Sequence, residues 1–160
     1  MTIKVGDKIP SVTLQVKTAD GINEVSTDDF FKGKKVVLFA LPGAFTPTCS
    51  AKHVPGFVEK AGDLKGKGVD TIACLSVNDA FVMDAWAKDQ KSDGKVTMLA
   101  DGSAAFTKAV GLELDLTARG MGVRSQRYAM VVDDGKVSRL EVEEPGAFQV
   151  SSAENILAKL

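Results

Sequence analysis

Three apolar runs in the first two thirds of the chain have the pattern of strands. Residues 35–41 read Lys-Val-Val-Leu-Phe-Ala-Leu, and residues 71–77 read Thr-Ile-Ala-Cys-Leu-Ser-Val. Residues 95–100 form a shorter run of the same kind. A strand with one face in water alternates apolar and polar residues, so a continuous apolar run indicates a strand covered on both faces. The first two runs are predicted to be such strands, and the third is predicted to be another strand.

Two segments with turn signals predict β-hairpins. Near the N-terminus, residues 11–16 alternate like a strand, and Ala19-Asp20-Gly21 predicts a turn to a partner strand near Glu24. Near the C-terminus, residues 128–132 and 136–142 flank an Asp-Asp-Gly turn, the strongest hairpin signal in the chain. The first hairpin is expected to be an N-terminal β extension.

Apolar residues at helical spacing occupy two segments between the strands. After Cys49, Pro55 is expected to kink a helix soon after it begins. The apolar positions of that helix are Val54, Phe57, Val58 and Ala61. Asn78 or Asp79 is a candidate N-cap for a second helix. Its predicted apolar stripe consists of Phe81, Val82, Ala85 and Trp86.

The order of the predicted elements indicates the fold class. A short helix over residues 103–110 follows the third strand, and Ser151 or Ser152 caps a closing helix. Strands alternating with helices, followed by a hairpin and a last helix, predict an α/β layered domain with a mixed central sheet. A thioredoxin-like fold fits this order. The chain has 160 residues, 26% of them charged and 44% hydrophobic, which predicts one globular domain over residues 1–160.

The charge balance makes nucleic acid a poor candidate partner. Twenty Lys and Arg residues stand against 21 Asp and Glu residues, and no basic run is interleaved with aromatic residues. The first eight residues are polar and lead directly into the first predicted strand, without the apolar stretch of a signal peptide or a membrane span. A cytoplasmic location without membrane contact is therefore the expectation.

The chain contains two cysteines, Cys49 and Cys74, and one histidine. Two cysteines do not make a disulfide framework, and with a single histidine they do not make a zinc site. We therefore expect two isolated thiols, whose functions depend on their surroundings.

Cys49 lies where a buried strand gives way to a helix. Functional sites in open α/β sheets gather at the carboxyl ends of strands, and free N–H groups in the first turn of a helix favour a thiolate. Pro42 and Pro47 stiffen the connecting loop, and the hydroxyl of Thr46 is close enough in sequence to bond the sulfur. The position also suits a small buried hydrophobic residue beside a tight turn, so this geometry leaves both interpretations open.

Residues 42–50, Pro-Gly-Ala-Phe-Thr-Pro-Thr-Cys-Ser, resemble the active-site loop of the peroxiredoxins, and most closely that of their type II, or fifth, subfamily. Three further stretches are similar to the same subfamily: residues 52–56, 76–86 and 124–128. They follow the family's order over nearly the whole chain, which makes the resemblance much more specific than one short motif.

The resemblance implies a thiol peroxidase and assigns roles to individual residues. Cys49 corresponds to the cysteine that attacks a hydroperoxide and becomes a sulfenic acid. Thr46 corresponds to the hydroxyl that bonds thiolate and peroxide, and Pro42 to the proline that shields the sulfenic acid. Arg127 corresponds to the arginine near the sulfur, where a guanidinium stabilises a thiolate and polarises the O–O bond. Backbone N–H groups around Gly43 and Cys49 are expected to bind the peroxide.

The regeneration step is where the chain departs from part of the subfamily. Some type II relatives carry a second cysteine in the loop before the last helix, and residues 147–152 contain none. Cys74 lies in the middle of a predicted strand, which favours a buried structural thiol, although an intramolecular disulfide with Cys49 stays open. We expect a one-cysteine cycle without a cofactor, in which glutathione with glutaredoxin, or thioredoxin, reduces the sulfenic acid.

Alternatives to this interpretation concern His53 and the use of the oxidised thiol. His53 follows Cys49 by four residues, but a packing or solvent-facing role is expected rather than that of a base, because no third group is evident to orient the ring. In the alternative function, oxidation of Cys49 changes a partner contact in a redox sensor or binding module. The resemblance also implies a homodimer, with the Phe45 loop and residues 79–83 as contributors.

Overall fold

The computed structural model describes all 160 residues and contains nine strands and six α-helices. The strands are β1 (Thr13–Thr18), β2 (Gly21–Ser26), β3 (Lys35–Ala40), β4 (Thr71–Ser76), β5 (Thr97–Ala100), β6 (Glu113–Leu116), β7 (Gly122–Ser125), β8 (Tyr128–Asp133) and β9 (Lys136–Val142). The α-helices are α1 (Thr27–Phe31), α2 (Val54–Glu59), α3 (Ala61–Gly66), α4 (Ala80–Gln90), α5 (Ala105–Ala109) and α6 (Ala153–Ala158). A π-helical turn (Cys49–His53) precedes α2, and a 3-10 turn (Thr117–Arg119) follows β6.

Seven of the strands form one mixed sheet in the order β2-β1-β5-β4-β3-β8-β9. Strands β3 and β4 pair in parallel, as do β4 and β5, whereas every other pair in the sheet is antiparallel. The mixed α/β class is therefore confirmed. The N-terminal hairpin is confirmed as well, since β1 pairs with β2 and places Gln15 opposite Glu24.

Both faces of the sheet are covered by apolar side chains, and β3 shows why its sequence lacks polar interruptions. Val37 and Phe39 belong to one buried cluster, whereas Val36 and Leu38 belong to a second cluster on the other face. Because successive side chains point to opposite faces, a strand between two apolar layers needs an apolar residue at every position. The predicted burial is confirmed for residues 36–41 and 72–76, whereas Lys35, Thr71 and Val77 at the ends of the runs are half-buried.

Turn and cap chemistry agrees with the residues at the element boundaries. The β8–β9 hairpin turns through Asp134 and Gly135, whose φ angles of 49° and 79° are positive, as a two-residue turn of the tight hairpin type requires. The Asp79 side chain caps α4 by accepting a hydrogen bond from the N–H of Val82 at 2.9 Å. Ser152 caps α6 in the same way.

The predicted apolar stripe of α4 is wrong in part. Trp86 is buried and Val82 packs against the core, but Phe81 is 65% exposed and Ala85 is also exposed. The buried positions of the helix are Ala80, Met83 and Trp86. The prediction placed the large side chain of Phe81 in the core, whereas the helix packs closely on the sheet through the smaller Ala80. The small sheet formed by β6 and β7 and the short helix α1 were also absent from the sequence-based prediction. No helix has the length and apolar character to cross a membrane.

Candidate active site

Cys49 lies in the first part of the helical segment that follows the loop after β3. Helical residues begin at Pro47, and Cys49 opens the π-helical turn, in which the N–H of Val54 reaches back to the Cys49 carbonyl. The wide turn comes directly before Pro55, whose ring would clash with a carbonyl four residues earlier in a regular helix. The interruption expected at Pro55 is thus a π-helical turn. The Cys49 side chain is fully buried.

The guanidinium of Arg127 contacts the sulfur directly. Its Nη2 lies 3.1 Å from Cys49 Sγ, and its Nη1 lies 2.9 Å from His53 Nδ1. The Phe148 ring covers the same guanidinium, with its centroid 5.8 Å from Cζ. Arg127 therefore brings a permanent positive charge and fixed N–H donors to the only face of the sulfur for which the structure records a polar partner.

His53 is fully buried and lies behind Arg127. Its Nε2 is 3.0 Å from the Ser151 carbonyl, which can only accept, so Nε2 carries the proton and Nδ1 accepts from Arg127. Burial first, and the Arg127 charge second, lower the pKa of His53 to about 3. Of the two roles expected from sequence, the packing role is confirmed and the solvent-facing role is wrong, and the ring has orienting groups, Arg127 and Ser151, that the sequence did not reveal. A neutral ring whose two nitrogens are both engaged is not a base for Cys49.

The loop before Cys49 is held by polar contacts at several points. The Thr46 hydroxyl donates to the Gly43 carbonyl at 2.6 Å, rather than to the sulfur as expected. The N–H of Ala44 donates to Asn78 Oδ1 at 3.0 Å, which ties the loop to the end of β4. The expected position of Thr46 next to the site is therefore observed, but in this state its hydroxyl stabilises the turn.

Arg124 also contacts the loop before Cys49. Its Nη1 is 3.4 Å from the Pro42 carbonyl, and its Nε donates to the Met121 carbonyl at 2.9 Å. A Cβ atom on Gly43 would lie 2.7 Å from Arg124 Nη1, so only glycine fits there without displacing the guanidinium. Sequence reasoning gave Arg124 no role, although it stands three residues before Arg127 in the motif.

A cavity of about 270 Å³ adjoins the guanidinium of Arg127. Pro42, Leu114 and Arg127 line it, together with two carboxylates, Glu143 and Glu144. The cavity thus combines apolar surface with charged groups of both signs, one guanidinium and two carboxylates, and such polar groups orient a small molecule in a site. No group of three or more His, Cys, Asp or Glu side chains is placed to hold a metal ion.

Cys74 lies in the middle of β4, between Phe39 of β3 and Met98 of β5. Burial, and then the nearby Cys49, raise the pKa of its thiol well above the ordinary value, although Arg127 acts in the opposite direction. Both cysteines are free, and both belong to the same buried cluster. The strand face that carries Cys74 is therefore the face that packs against the Cys49 segment.

The sequence profile of the Redoxin family matches residues 4–157. The chain belongs to the Redoxin family.

Its relatives within that family are peroxiredoxins. Peroxiredoxin-2B of Arabidopsis thaliana is 53% identical over 159 residues, which cover 99% of this chain and 98% of that protein. The solved structure of reduced Prx3 from Vibrio vulnificus in complex with hydrogen peroxide is 54% identical, with a TM-score of 0.96 and 99% of each chain covered. A Burkholderia cenocepacia structure titled as a putative thioredoxin reductase is 56% identical, with a TM-score of 0.98, covering 100% of this chain and 99% of that one.

These relatives make the chain a peroxiredoxin, an enzyme of the thiol peroxidase class, and confirm both the resemblance to the type II subfamily and the thioredoxin-like fold. In this peroxiredoxin the single tryptophan also lies beside the site. Trp86 donates its Nε1–H to Ser50 Oγ at 3.0 Å, one residue after Cys49.

Proposed function

We propose that this peroxiredoxin reduces hydrogen peroxide and organic hydroperoxides through a sulfenic acid on Cys49, in a one-cysteine cycle. The observation that carries the proposal is the 3.1 Å contact between Arg127 Nη2 and Cys49 Sγ. A guanidinium in this position sets a positive charge and a fixed hydrogen-bond donor against the sulfur that acts as nucleophile.

In the first step the thiolate attacks one oxygen of the peroxide. The S–O bond forms as the O–O bond breaks, and the second oxygen leaves as alkoxide or hydroxide, which takes a proton to give alcohol or water. The sulfur loses two electrons and the peroxide gains them. Donors held in fixed directions stabilise the negative charge that moves from sulfur to the leaving oxygen, and Arg127 is such a donor.

The remaining loop residues shape this pocket in the proposal. The N–H of Gly43 makes no hydrogen bond within the protein and is available to the peroxide. When the Thr46 hydroxyl rotates away from the Gly43 carbonyl, it can donate a hydrogen bond to the peroxide. Pro42, which lines the adjoining cavity, shields the sulfenic acid from water. The Cys49 N–H completes the set of donors.

Regeneration in the proposal uses an external thiol and no cofactor. The reductant attacks the sulfenic sulfur, water leaves, and a second thiol resolves the mixed disulfide and returns Cys49 to its thiol form. Cys74 is not used, because it is buried in a paired strand with a raised pKa and needs local unfolding to react. Glutathione with glutaredoxin, or thioredoxin, supplies the electrons.

The test compares turnover of wild type, Cys49→Ser and Cys74→Ser with hydrogen peroxide and an organic hydroperoxide. Each protein is assayed with glutathione plus glutaredoxin and, separately, with thioredoxin. Cys49→Ser is expected to abolish turnover, and Cys74→Ser is expected to retain it. Loss of turnover in Cys74→Ser would overturn the one-cysteine cycle. Wild-type reactivity no greater than that of a free thiol would overturn the peroxidase role in favour of a redox sensor or binding module.

The proposal includes a homodimer formed next to the active site. Phe45 and Phe81 are 53% and 65% exposed, and Phe45 lies on the active-site loop against Trp86. Exposed large apolar side chains are typical of an interface, and in a twofold dimer the same surface of each copy packs against the other. Light scattering after gel filtration is expected to give twice 16.9 kDa for wild type and a lower mass for Phe81→Glu. A monomeric wild type at micromolar concentration would contradict the dimer.

The proposed location is the cytoplasm. Two free cysteines without a disulfide suit a reducing compartment, in which thiols persist and external thiols are abundant. Fractionation of the source cells with an antibody against the protein tests this location, and recovery of the protein from an organelle or from the medium would contradict it.

A further inference from the structure

Glu143 is a buried carboxylate at the end of β9 that organises the loop before α6. Its Oε2 accepts hydrogen bonds from the N–H of Gln149 at 2.7 Å, the N–H of Ser151 at 2.8 Å and the Ser151 hydroxyl at 2.7 Å. Burial by itself raises the pKa of Glu143, but the bonds from Ser151 and Gln149 outweigh it, so the pKa is lowered. The carboxylate is therefore held as an anion by the loop that it orders.

The same loop holds His53. The Ser151 carbonyl accepts from His53 Nε2 at 3.0 Å, and the Phe148 ring packs edge-on against the imidazole with centroids 5.0 Å apart. Glu143 also fixes the backbone at the other end of the network, because its N–H donates to the Arg127 carbonyl at 2.9 Å. Contacts thus run without interruption from Glu143 through Ser151 and His53 to the guanidinium on Cys49.

The tautomer of His53 is what this network determines. Arg127 has only N–H donors, so a neighbour that stabilises its orientation has to present a lone pair. The Ser151 carbonyl claims the proton on Nε2, and this leaves the Nδ1 lone pair for Arg127. If the loop were displaced, the proton could move to Nδ1, and the ring would then repel the guanidinium instead of holding it.

We propose that Glu143 and His53 are positioning residues for the peroxide step: Glu143 fixes the Gln149–Ser151 segment, Ser151 fixes the His53 ring as an acceptor, and His53 aims Arg127 at Cys49. This inference rests on the proposed peroxidase function. Neither residue has a polar contact with the sulfur: His53 contacts the guanidinium, and Glu143, which also lines the cavity beside Arg127, reaches it through Ser151 and His53. The consequence is that a loop remote in sequence sets the reactivity of the thiol.

The variants separate positioning from packing. His53→Asn keeps an acceptor oxygen near the place of Nδ1, whereas His53→Leu fills a similar volume without a lone pair. Glu143→Gln removes the anion and turns one oxygen into a donor. Glu154→Gln makes the same chemical change on an exposed side chain of α6 and serves as the control. Arg127→Gln, alone and combined with His53→Leu, tests whether His53 acts through Arg127.

The measured quantity is the rate constant for sulfenic acid formation at Cys49, from rapid quenching with a sulfenic acid trap and mass spectrometry. His53→Leu and Glu143→Gln are expected to lose about tenfold to a hundredfold, because a misplaced donor forfeits most of its effect. His53→Asn is expected to recover most of the loss, and Glu154→Gln to match wild type. In the Arg127→Gln background, His53→Leu is expected to have little further effect.

Two outcomes overturn the inference while leaving the proposed function intact. One is a fast wild type with unchanged rates in Glu143→Gln and His53→Leu. The other is a His53→Leu loss of the same factor whether or not Arg127 is present, which would indicate a packing role. Thermal melting of each variant identifies any that are unfolded at the assay temperature. If His53→Leu is unfolded, the rates of His53→Asn and Glu143→Gln are compared, and equal rates in these two variants overturn the inference. A slow wild type would instead contradict the proposed function itself.

Discussion

Cys49 and Cys74 are both fully buried and belong to the same apolar cluster, yet their polar surroundings differ in every respect. Cys49 lies in a π-helical turn with a guanidinium 3.1 Å from its sulfur. Cys74 lies in a central strand, and its sulfur makes no hydrogen bond. Burial is therefore common to the two thiols and does not distinguish them. What separates the two is a charged donor delivered by a residue 78 positions along the chain from Cys49.

The difference also follows from local backbone structure. A strand residue between two paired neighbours has no freedom to approach a substrate, because both sides of its backbone are hydrogen-bonded. A residue at the start of a helix faces the end of the sheet, where loops and their side chains converge. In the proposed function the same amino acid is thus structural in one place and reactive in the other.

Removal of the charged partner is expected to erase most of the difference between the two thiols. Arg127→Gln loses the fixed charge next to Cys49 and is expected to lower the rate constant with hydrogen peroxide by about a hundredfold to a thousandfold. Arg119→Gln, on an exposed arginine, is the matched control. Stopped-flow measurement of peroxide consumption checks this. A loss below threefold would mean that Arg127 is not what distinguishes Cys49.

The buried, neutral His53 makes the free energy of unfolding depend on pH. Its pKa of about 3 in the folded state is below the ordinary value of 6.5, so the unfolded chain binds the extra proton first as the pH falls. The free energy of unfolding is unaffected by this residue above pH 7 and is expected to fall by about 2 kcal/mol between pH 7 and pH 5. Urea titrations at both pH values measure the fall.

His53→Asn is the control for that pH dependence, because asparagine does not titrate. Between pH 7 and pH 5, the free energy of unfolding of His53→Asn is expected to lack the fall of about 2 kcal/mol that His53 causes in wild type. An equal pH dependence in wild type and His53→Asn would contradict a buried, neutral His53.

Cys74→Ser tests the second thiol of the comparison. A serine in the middle of β4 buries a hydroxyl without a partner, so the free energy of unfolding is expected to drop by about 1–3 kcal/mol. The rate constant with hydrogen peroxide is expected to stay within twofold of wild type. Cys74→Ala removes the sulfur without adding a hydroxyl and separates the polar effect from the loss of volume. A tenfold loss of rate in either variant would give Cys74 a part in the chemistry.

The smallest expected effect concerns the loop that carries the Cys49 pocket. Gly43→Ala places a methyl group 2.7 Å from Arg124 Nη1, so the arginine or the loop has to shift. The rate constant with hydrogen peroxide is expected to fall about threefold to tenfold. Gly62→Ala, at a position with nothing within 4 Å, is the matched control. Equal rates in both variants would mean that Arg124 moves without consequence for the site.

The elements that could be predicted from sequence are those with a local physical signature. The continuous apolar run at residues 35–41 and the turn at Asp134 and Gly135 depend on neighbours in the chain, and both are found in the structure. The face of α4 was missed because Phe81 looks like a core residue when the surface that receives the helix is unknown. Packing against a distant element decides such faces, and a single sequence does not show it.

The residues of the site likewise divide into those that could be predicted from the sequence and those that could not. Proximity of Arg127 to Cys49 came from a family resemblance, since no rule of spacing selects one arginine out of four for a place next to the sulfur. The polar partners of His53 and the contact of Arg124 with Pro42 were missed, because each depends on strands and loops far apart in the chain. A buried histidine between an arginine and a backbone carbonyl has no signature in its immediate neighbours.

The hydrogen bond from Trp86 to Ser50 gives this molecule an optical property. The chain has one tryptophan, its ring is fully buried, and its indole N–H donates to Ser50, the residue next to Cys49. Indole emission shifts in wavelength and intensity when the N–H changes partner or polarity. Any repacking of the first turn when Cys49 gains an oxygen therefore alters the fluorescence of a single chromophore, and oxidation and recovery of the enzyme can be followed in real time without a label.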